Sequence, residues 1–301
     1  MTDQLNASAG GGGLDIEIKK KSRLPWIIGA IVAVIAVASA IIFATVSNQD
    51  KPFGTTLPVA TWSTDIAAEN LLKYISDNIA PDYGITIEPR KIDNLIEINR
   101  AVDAGDVAGN FFQHQPFLND AIAANGFQLT LAAPTFTWDQ AAYSDEYRSW
   151  DEVPNGAQIA LRDDPAGQAI AMLDLAYDKQ ITLKPGKDTI DGLPQLSDIE
   201  SNPKNYRFVQ VPIGQLARSL DDVDVVVVHI SDVYAAGLTE EQIISRQPAP
   251  KGSEGGLVVS DKHLDDPNVA KLVDAFGDPR IAEFLKTTDD ALIRNTLGPI
   301  E

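Results

Sequence analysis

Gly109–Leu118 read GNFFQHQPFL: two phenylalanines, a glutamine and a histidine crowded ahead of a proline and a third aromatic. A histidine wedged between phenylalanines makes a poor loop and an awkward core. It points to a pocket wall, although a buried imidazole resting on a hydrogen-bond partner would account for the same residues. The neighbouring segments supply the context.

Upstream, LPVATW (57–62) reads as a short buried strand, and Ser63 or Thr64 can cap a helix from about Asp65 to Asn78 with Ile66, Leu71, Leu72 and Ile75 at helical spacing. ITIEPRKI (85–92) is a second strand after the Pro81–Gly84 turn. A helix from about Leu95 to Asp103, a turn at Gly105 and a third strand lead into the quoted stretch. Strand, helix, strand, helix, strand with short connections predicts a parallel sheet covered on both faces. Ligands of such sheets sit at the carboxyl ends of the strands, where residues 109–118 fall.

Downstream the pattern restarts. Residues 129–133 and AQIAL (157–161) read as strands. The second stops at Arg162-Asp163-Asp164-Pro165, a good start for a helix over 167–179. FVQVPI (208–213) is a strand, 215–220 a short helix, and 223–230 a strand whose four consecutive valines predict burial on both faces, with His229 at its end. A polar connection over 246–256 is followed by the strand GLVVS and helices over 267–276 and 279–286 that return to complete the first unit. The expected architecture is α/β, two lobes joined by two crossovers with a cleft between: lobe 1 from 57–135 plus 250–301, lobe 2 from 136–249.

Ahead of the folded part, residues 26–46 carry no charge, enough to cross a hydrocarbon layer of about 30 Å as a helix. Lys19, Lys20, Lys21 and Arg23 precede it and Trp26 marks the interface. The positive-inside rule therefore keeps residues 1–25 cytoplasmic as a disordered tail and places the rest outside the cell, behind a tether over 47–56. A cleaved signal peptide is the competing reading, with a small-x-small site at Ala38-Ser39-Ala40. However, h-regions run about 7 to 15 residues, and this one continues past that site as Ile41-Ile42-Phe43. The net charge of -19 falls after residue 50, which disfavours a nucleic-acid partner. Cysteine is absent, which removes disulfides, thiolate chemistry and a lipid-modified cysteine anchor.

Three blocks, AGDVAGNFFQHQPFLND (104–120), NGAQIALRDDPAGQAIAML (155–173) and NPKNYRFVQVPIGQLARSLDDVDVVVVHISDVYAAGL (202–238), carry a family likeness. From about Leu57 to Leu297 the chain resembles the NlpA/MetQ-type methionine-binding lipoproteins of ABC importers. The resemblance implies a two-lobe periplasmic-binding-protein fold of type II, behind the transmembrane helix. It also implies delivery of methionine or a close relative to a membrane permease with a cytoplasmic ATPase, with no cofactor. Phe112, His114 and Phe117 match the family's aromatic and histidine wall, Phe117 standing where tyrosine is usual, and Trp138 is taken as a ligand residue beside them. The family's N-D-P-T-N-x-G-R motif, whose second asparagine and arginine help hold the amino acid, falls here on residues 163–170. Those two positions read Gly167 and Ile170. A third ligand asparagine falls on His229. The apolar wall is kept and the carboxylate clamp is lost. Arg162 at the same strand end can substitute, as can the helix amino terminus after Pro165. Asp163 and Asp164 suit an amine, or simply cap the helix.

Other chemistries are weakly supported. His114 and His229, with Asp232 or Asp163, fall short of the three or four ligands a metal site wants. His263, in the polar DKHLDD turn, reads as solvated surface. An enzyme would need a nucleophile. Ser231 shares a strand face with His229 if the strand continues that far, but no GxSxG, HExxH or P-loop is present. A non-transporting receptor or adhesin on the same fold is the remaining alternative.

Overall fold

Alternation decides which side chains reach which core. The computed structural model describes residues 51–300 apart from Ala235. The expected tail, the expected membrane anchor and the start of the expected tether lie outside the described residues. In β1 (Thr56–Trp62), Leu57 and Val59 point to one face and Ala60 to the other. The first face is covered by α1 (Ile66–Asn78), through Leu71, Leu72 and Ile75, and by two later helices, Pro267–Phe276 and Pro279–Thr287. The second is covered by α2 (Leu95–Asp103) and α3 (Gln115–Asn125), through Ile98, Val102, Leu118 and Ala121.

The first sheet has six strands. β2 (Thr86–Ile92) and β3 (Gly109–His114) flank β1 in parallel. β12 (Gly255–Ser260) lies antiparallel between β3 and β4 (Leu129–Trp138), and β13 (Leu297–Pro299) closes the edge, giving the order β13-β4-β12-β3-β1-β2. The chain's end thus returns to the first sheet. β4 runs to Trp138, three residues past the expected lobe boundary at 135.

After one intervening residue the second sheet begins with β5 (Gln140–Tyr143), and its order is β11 (Ile243–Gln247), β5, β10 (Val225–His229), β6 (Gln158–Arg162), β9 (Arg207–Val211), while β7 (Thr182–Leu183) and β8 (Ile199–Ser201) pair apart from it. β6, β9 and β10 are parallel, and β5 and β11 run antiparallel. The valine run behaves as its composition demands. Val225 and Val227 pack with Met172 and Leu175 of the helix Pro165–Tyr177, while Val226 and Val228 pack with Leu216 and Leu220 on the other face. The chain crosses between sheets at Asp139 and again over 248–254.

Several local expectations need correction. α1 is capped by Asp65, whose carboxylate accepts from the Ala68 N–H at 3.0 Å, rather than by Ser63 or Thr64. Part of the 246–256 connection is strand, because β11 finds an open edge on β5. His263 is 5 % exposed rather than solvated. Phe53 covers it edge-on at 4.9 Å, held there by its N–H to Asp266 (2.7 Å) and by Asn268 Nδ2 donating to its carbonyl (2.9 Å). The tether is thus pinned to the fold from Phe53 onward, an arrangement that a turn read in isolation cannot reveal. Among the described residues no helix is long and apolar enough to cross a membrane.

Candidate functional site

Each parallel strand delivers its last residues to the same place. β1 ends in Trp62 with Asp65 just beyond, β2 leads to Leu95, β3 ends in Gln113 and His114, and β4, running with β3, ends in Trp138. From the second sheet come Arg162 at the end of β6, Ile213 after β9, and His229, Ser231 and Asp232 at the end of β10. With Phe112 and Phe117 these line one cavity between the sheets, of about 30 Å³. That is room for a water molecule or two, not an amino acid.

The wall on the first sheet is tightly specified. β3 carries a bulge, in which Gly256 opposes Gln113 and Leu257 opposes Phe111, leaving Phe112 the extra residue. Bulges re-aim side chains at such rims. Asn110 and Gln113 consequently share a side and form a buried amide network with Asn99 at 2.5–3.0 Å. His114 caps α3, its Nδ1 accepting from the Phe117 N–H at 3.2 Å, with Pro116 in the first turn. Burial lowers its pKa to about 3, helped by the Arg162 charge and opposed by Asp164, so the ring is neutral at pH 7. Trp138 lies against Phe136 (4.5 Å), His114 (6.0 Å) and His229 (5.7 Å) and donates its Nε1–H to Asp65 at 3.0 Å. It can lie there because Gly255 has no side chain: a Cβ would sit 2.3 Å from the indole. Both Asp65 oxygens are thereby engaged, although burial still raises its pKa.

The wall on the second sheet is built around Arg162. Its Nε donates to Asp164 Oδ2 at 2.6 Å, one of five N–H donors the guanidinium offers, and its charged end lies 6.0 Å from the Phe117 ring. Asp164 Oδ1 caps the following helix through the Gly167 N–H at 2.8 Å. Gly167 lies beneath the arginine. A Cβ there would meet Arg162 Nε at 2.2 Å and Cδ at 2.3 Å. The glycine at the expected clamp position is therefore the clearance that Arg162 requires, and Gly167 itself does not line the cavity. Asp163 points outward and is exposed, since its neighbour Arg162 faces inward, so it does not reach the cavity as an amine partner. Asp164 is occupied by the cap and the arginine.

His229 bonds Gln140 through Nδ1, and its ring lies 6.3 Å from that of His114. Burial first, then Arg162 and His114, push its pKa well below the usual histidine value. The Arg162 charge nearby repels a cation, and among the described residues no three His, Asp or Glu side chains converge to hold a metal ion. The strand ends at His229, so Ser231 belongs to the short helix Ile230–Tyr234 and does not share a strand face with it. The Ser231 hydroxyl and Asp232 Oδ2 are buried without a hydrogen-bond partner.

Trp62, Asp65, Leu95 and Ile213 were not singled out from the sequence. The strand-end rule that located His114 would have found them if applied to every strand.

The NlpA lipoprotein family profile matches residues 59–294. The chain belongs to this family. It is 30% identical over 224 residues to the D-methionine-binding lipoprotein MetQ of Escherichia coli K12, covering 72% of this chain and 81% of that protein. Among solved structures, a nutrient binding protein from Burkholderia cenocepacia bound to methionine superposes with a TM-score of 0.69 at 27% identity, over 81% of this chain and 100% of that one. An ABC transporter periplasmic substrate-binding protein from Coxiella burnetii gives 0.70 at 25%, over 81% and 100%. The two-lobe periplasmic-binding-protein fold is thus shared with these solved structures.

Proposed function

We propose that this NlpA-family protein is the extracellular solute receptor of an ABC importer and takes up methionine or a closely related amino acid between its lobes. The observation that carries this reading is the meeting, in one cavity, of an aromatic wall from the first sheet with a buried arginine from the second. Arg162 supplies the carboxylate-binding charge, entering from the end of β6 instead of from the helix that follows. Phe112, Phe117, Trp138, His114 and His229 supply a polarisable apolar lining for a thioether side chain. The cavity is too small for an amino acid as it stands. Binding therefore involves parting of the lobes, with Asp139 and residues 248–254 as the hinge segments.

The partners of this reading are a membrane permease and its ATPase. Because the chain has no cysteine to carry a lipid, residues 26–46 serve as a single-pass anchor that holds the receptor outside the membrane with the amino terminus in the cytoplasm. No reaction is proposed: the Ser231 hydroxyl lacks a base, and His229 Nδ1 is engaged by Gln140.

The test is a thermal-shift and calorimetric panel of amino acids, dipeptides and sulfur compounds on the full chain in mild detergent. A ligand at a hundred times its Kd stabilises the folded state by about 2.7 kcal/mol. Methionine or a near relative should raise the midpoint at micromolar concentration. A panel in which nothing shifts it overturns the reading.

A further inference from the structure

If the receptor closes on an amino acid, as proposed above, Arg162 accounts for only one of the ligand's two charges. The ammonium needs an acceptor, and the carboxylates near the cavity can be taken in turn. Asp65 has both oxygens committed, to the Ala68 N–H and to Trp138 Nε1. Asp164 has both committed, to the Gly167 N–H and to Arg162. Asp163 faces solvent. Asp232 alone lines the cavity with a buried oxygen that nothing satisfies, and its neighbour Ser231, 5 % exposed, contributes a second buried and unpartnered oxygen to the same wall. A carboxylate oxygen and a hydroxyl left buried without partners are costly in a folded protein unless a ligand satisfies them.

We propose that Asp232 and Ser231 form the ammonium subsite of the cleft, so that the receptor selects zwitterionic α-amino acids by holding the ammonium there while Arg162 holds the carboxylate. Position favours this. Trp62, Ile213 and Asp232 also border a neighbouring cavity of about 80 Å³ that leads toward Thr64 and Arg218. Asp232 thus borders both spaces. The charge balance agrees. Burial first, and then the Asp65 carboxylate, push Asp232 up to about 7 against the opposing Arg162, and a bound ammonium would restore the carboxylate form.

The experiment measures binding of three probes to the full chain in mild detergent: methionine, its des-amino analogue 4-(methylthio)butanoate, and its descarboxy analogue 3-(methylthio)propylamine. Wild type, Asp232→Asn and Ser231→Ala are compared. Wild type should prefer methionine to the des-amino analogue by about tenfold or more, the worth of a charge-assisted hydrogen bond. Asp232→Asn should erase that preference and abolish amine binding, and Ser231→Ala should weaken methionine and the amine together without affecting the des-amino acid. Folding is secure as a control, because Asp232→Asn removes a buried carboxyl group and its melting midpoint should not fall. If methionine binds and Asp232→Asn still discriminates, the subsite is wrong while the receptor reading stands. If methionine fails but the amine binds in an Asp232-dependent way, the amino-acid reading falls and the ammonium subsite stands. If wild type binds none of the three, both fall.

Discussion

The two walls of the cleft differ in how completely they are finished. On the first wall the amides of Asn99, Asn110 and Gln113, the His114 cap and the Trp138–Asp65 pair are all hydrogen-bonded. On the second sheet Arg162 spends one donor on Asp164, and Ser231 and Asp232 present oxygens with no partner. A finished wall gives shape, and an unfinished one keeps hydrogen-bonding capacity in reserve for a ligand. Under the proposed function, shape and charge recognition are thereby divided between lobes.

The largest effect expected from this division is on the unfinished side. Arg162→Ala should weaken methionine binding by about 1.5–3 kcal/mol, roughly ten- to a hundredfold, whereas Phe117→Leu on the finished side should cost less than about threefold, since leucine keeps most of the apolar contact. Isothermal titration of both variants checks this, and equal losses would break the comparison.

Next comes the clearance under the arginine. Gly167→Ala should destabilise the fold by about 1–3 kcal/mol, the usual cost of overpacking. In an Arg162→Ala background the same change should cost about 0.5 kcal/mol or less. A double-mutant cycle in denaturant would register the coupling, and additive losses would show that the two residues do not compete for space.

The smallest effect belongs to His114. Its folded pKa is about 3, below the unfolded value of about 6.5. The unfolded chain therefore binds more protons in between, and stability contributed at neutral pH is lost as pH falls through that window. Between pH 7.5 and 5.5 the wild type should lose about 1.4 kcal/mol more than His114→Gln. Parallel stability curves for the two would mean that the ring is not held neutral.

Much of the frame was legible beforehand because it rests on local periodicity. The valine run predicts a strand buried on both faces, and residues 95–103 form the helix their spacing demands. β5, β11 and β13 were missed, since short antiparallel strands owe their existence to open sheet edges rather than to their own composition. For the same reason the DKHLDD turn read as solvated: its cover, Phe53, is distant in sequence.

At the site, the sequence by itself determined which residues stand at the ends of β3, β6 and β10, because strand ends follow from where the apolar alternation stops. It also determined that the clamp positions hold Gly167 and Ile170 and that no cysteine can carry a lipid. Only the tertiary structure decided that Gly167 is empty so that Arg162 can lie over it, that Asp163 faces outward, and that Trp138 reaches back to Asp65 across 73 residues. Those relations depend on the order in which strands assemble, and that order sets which strand ends face one another across the cleft.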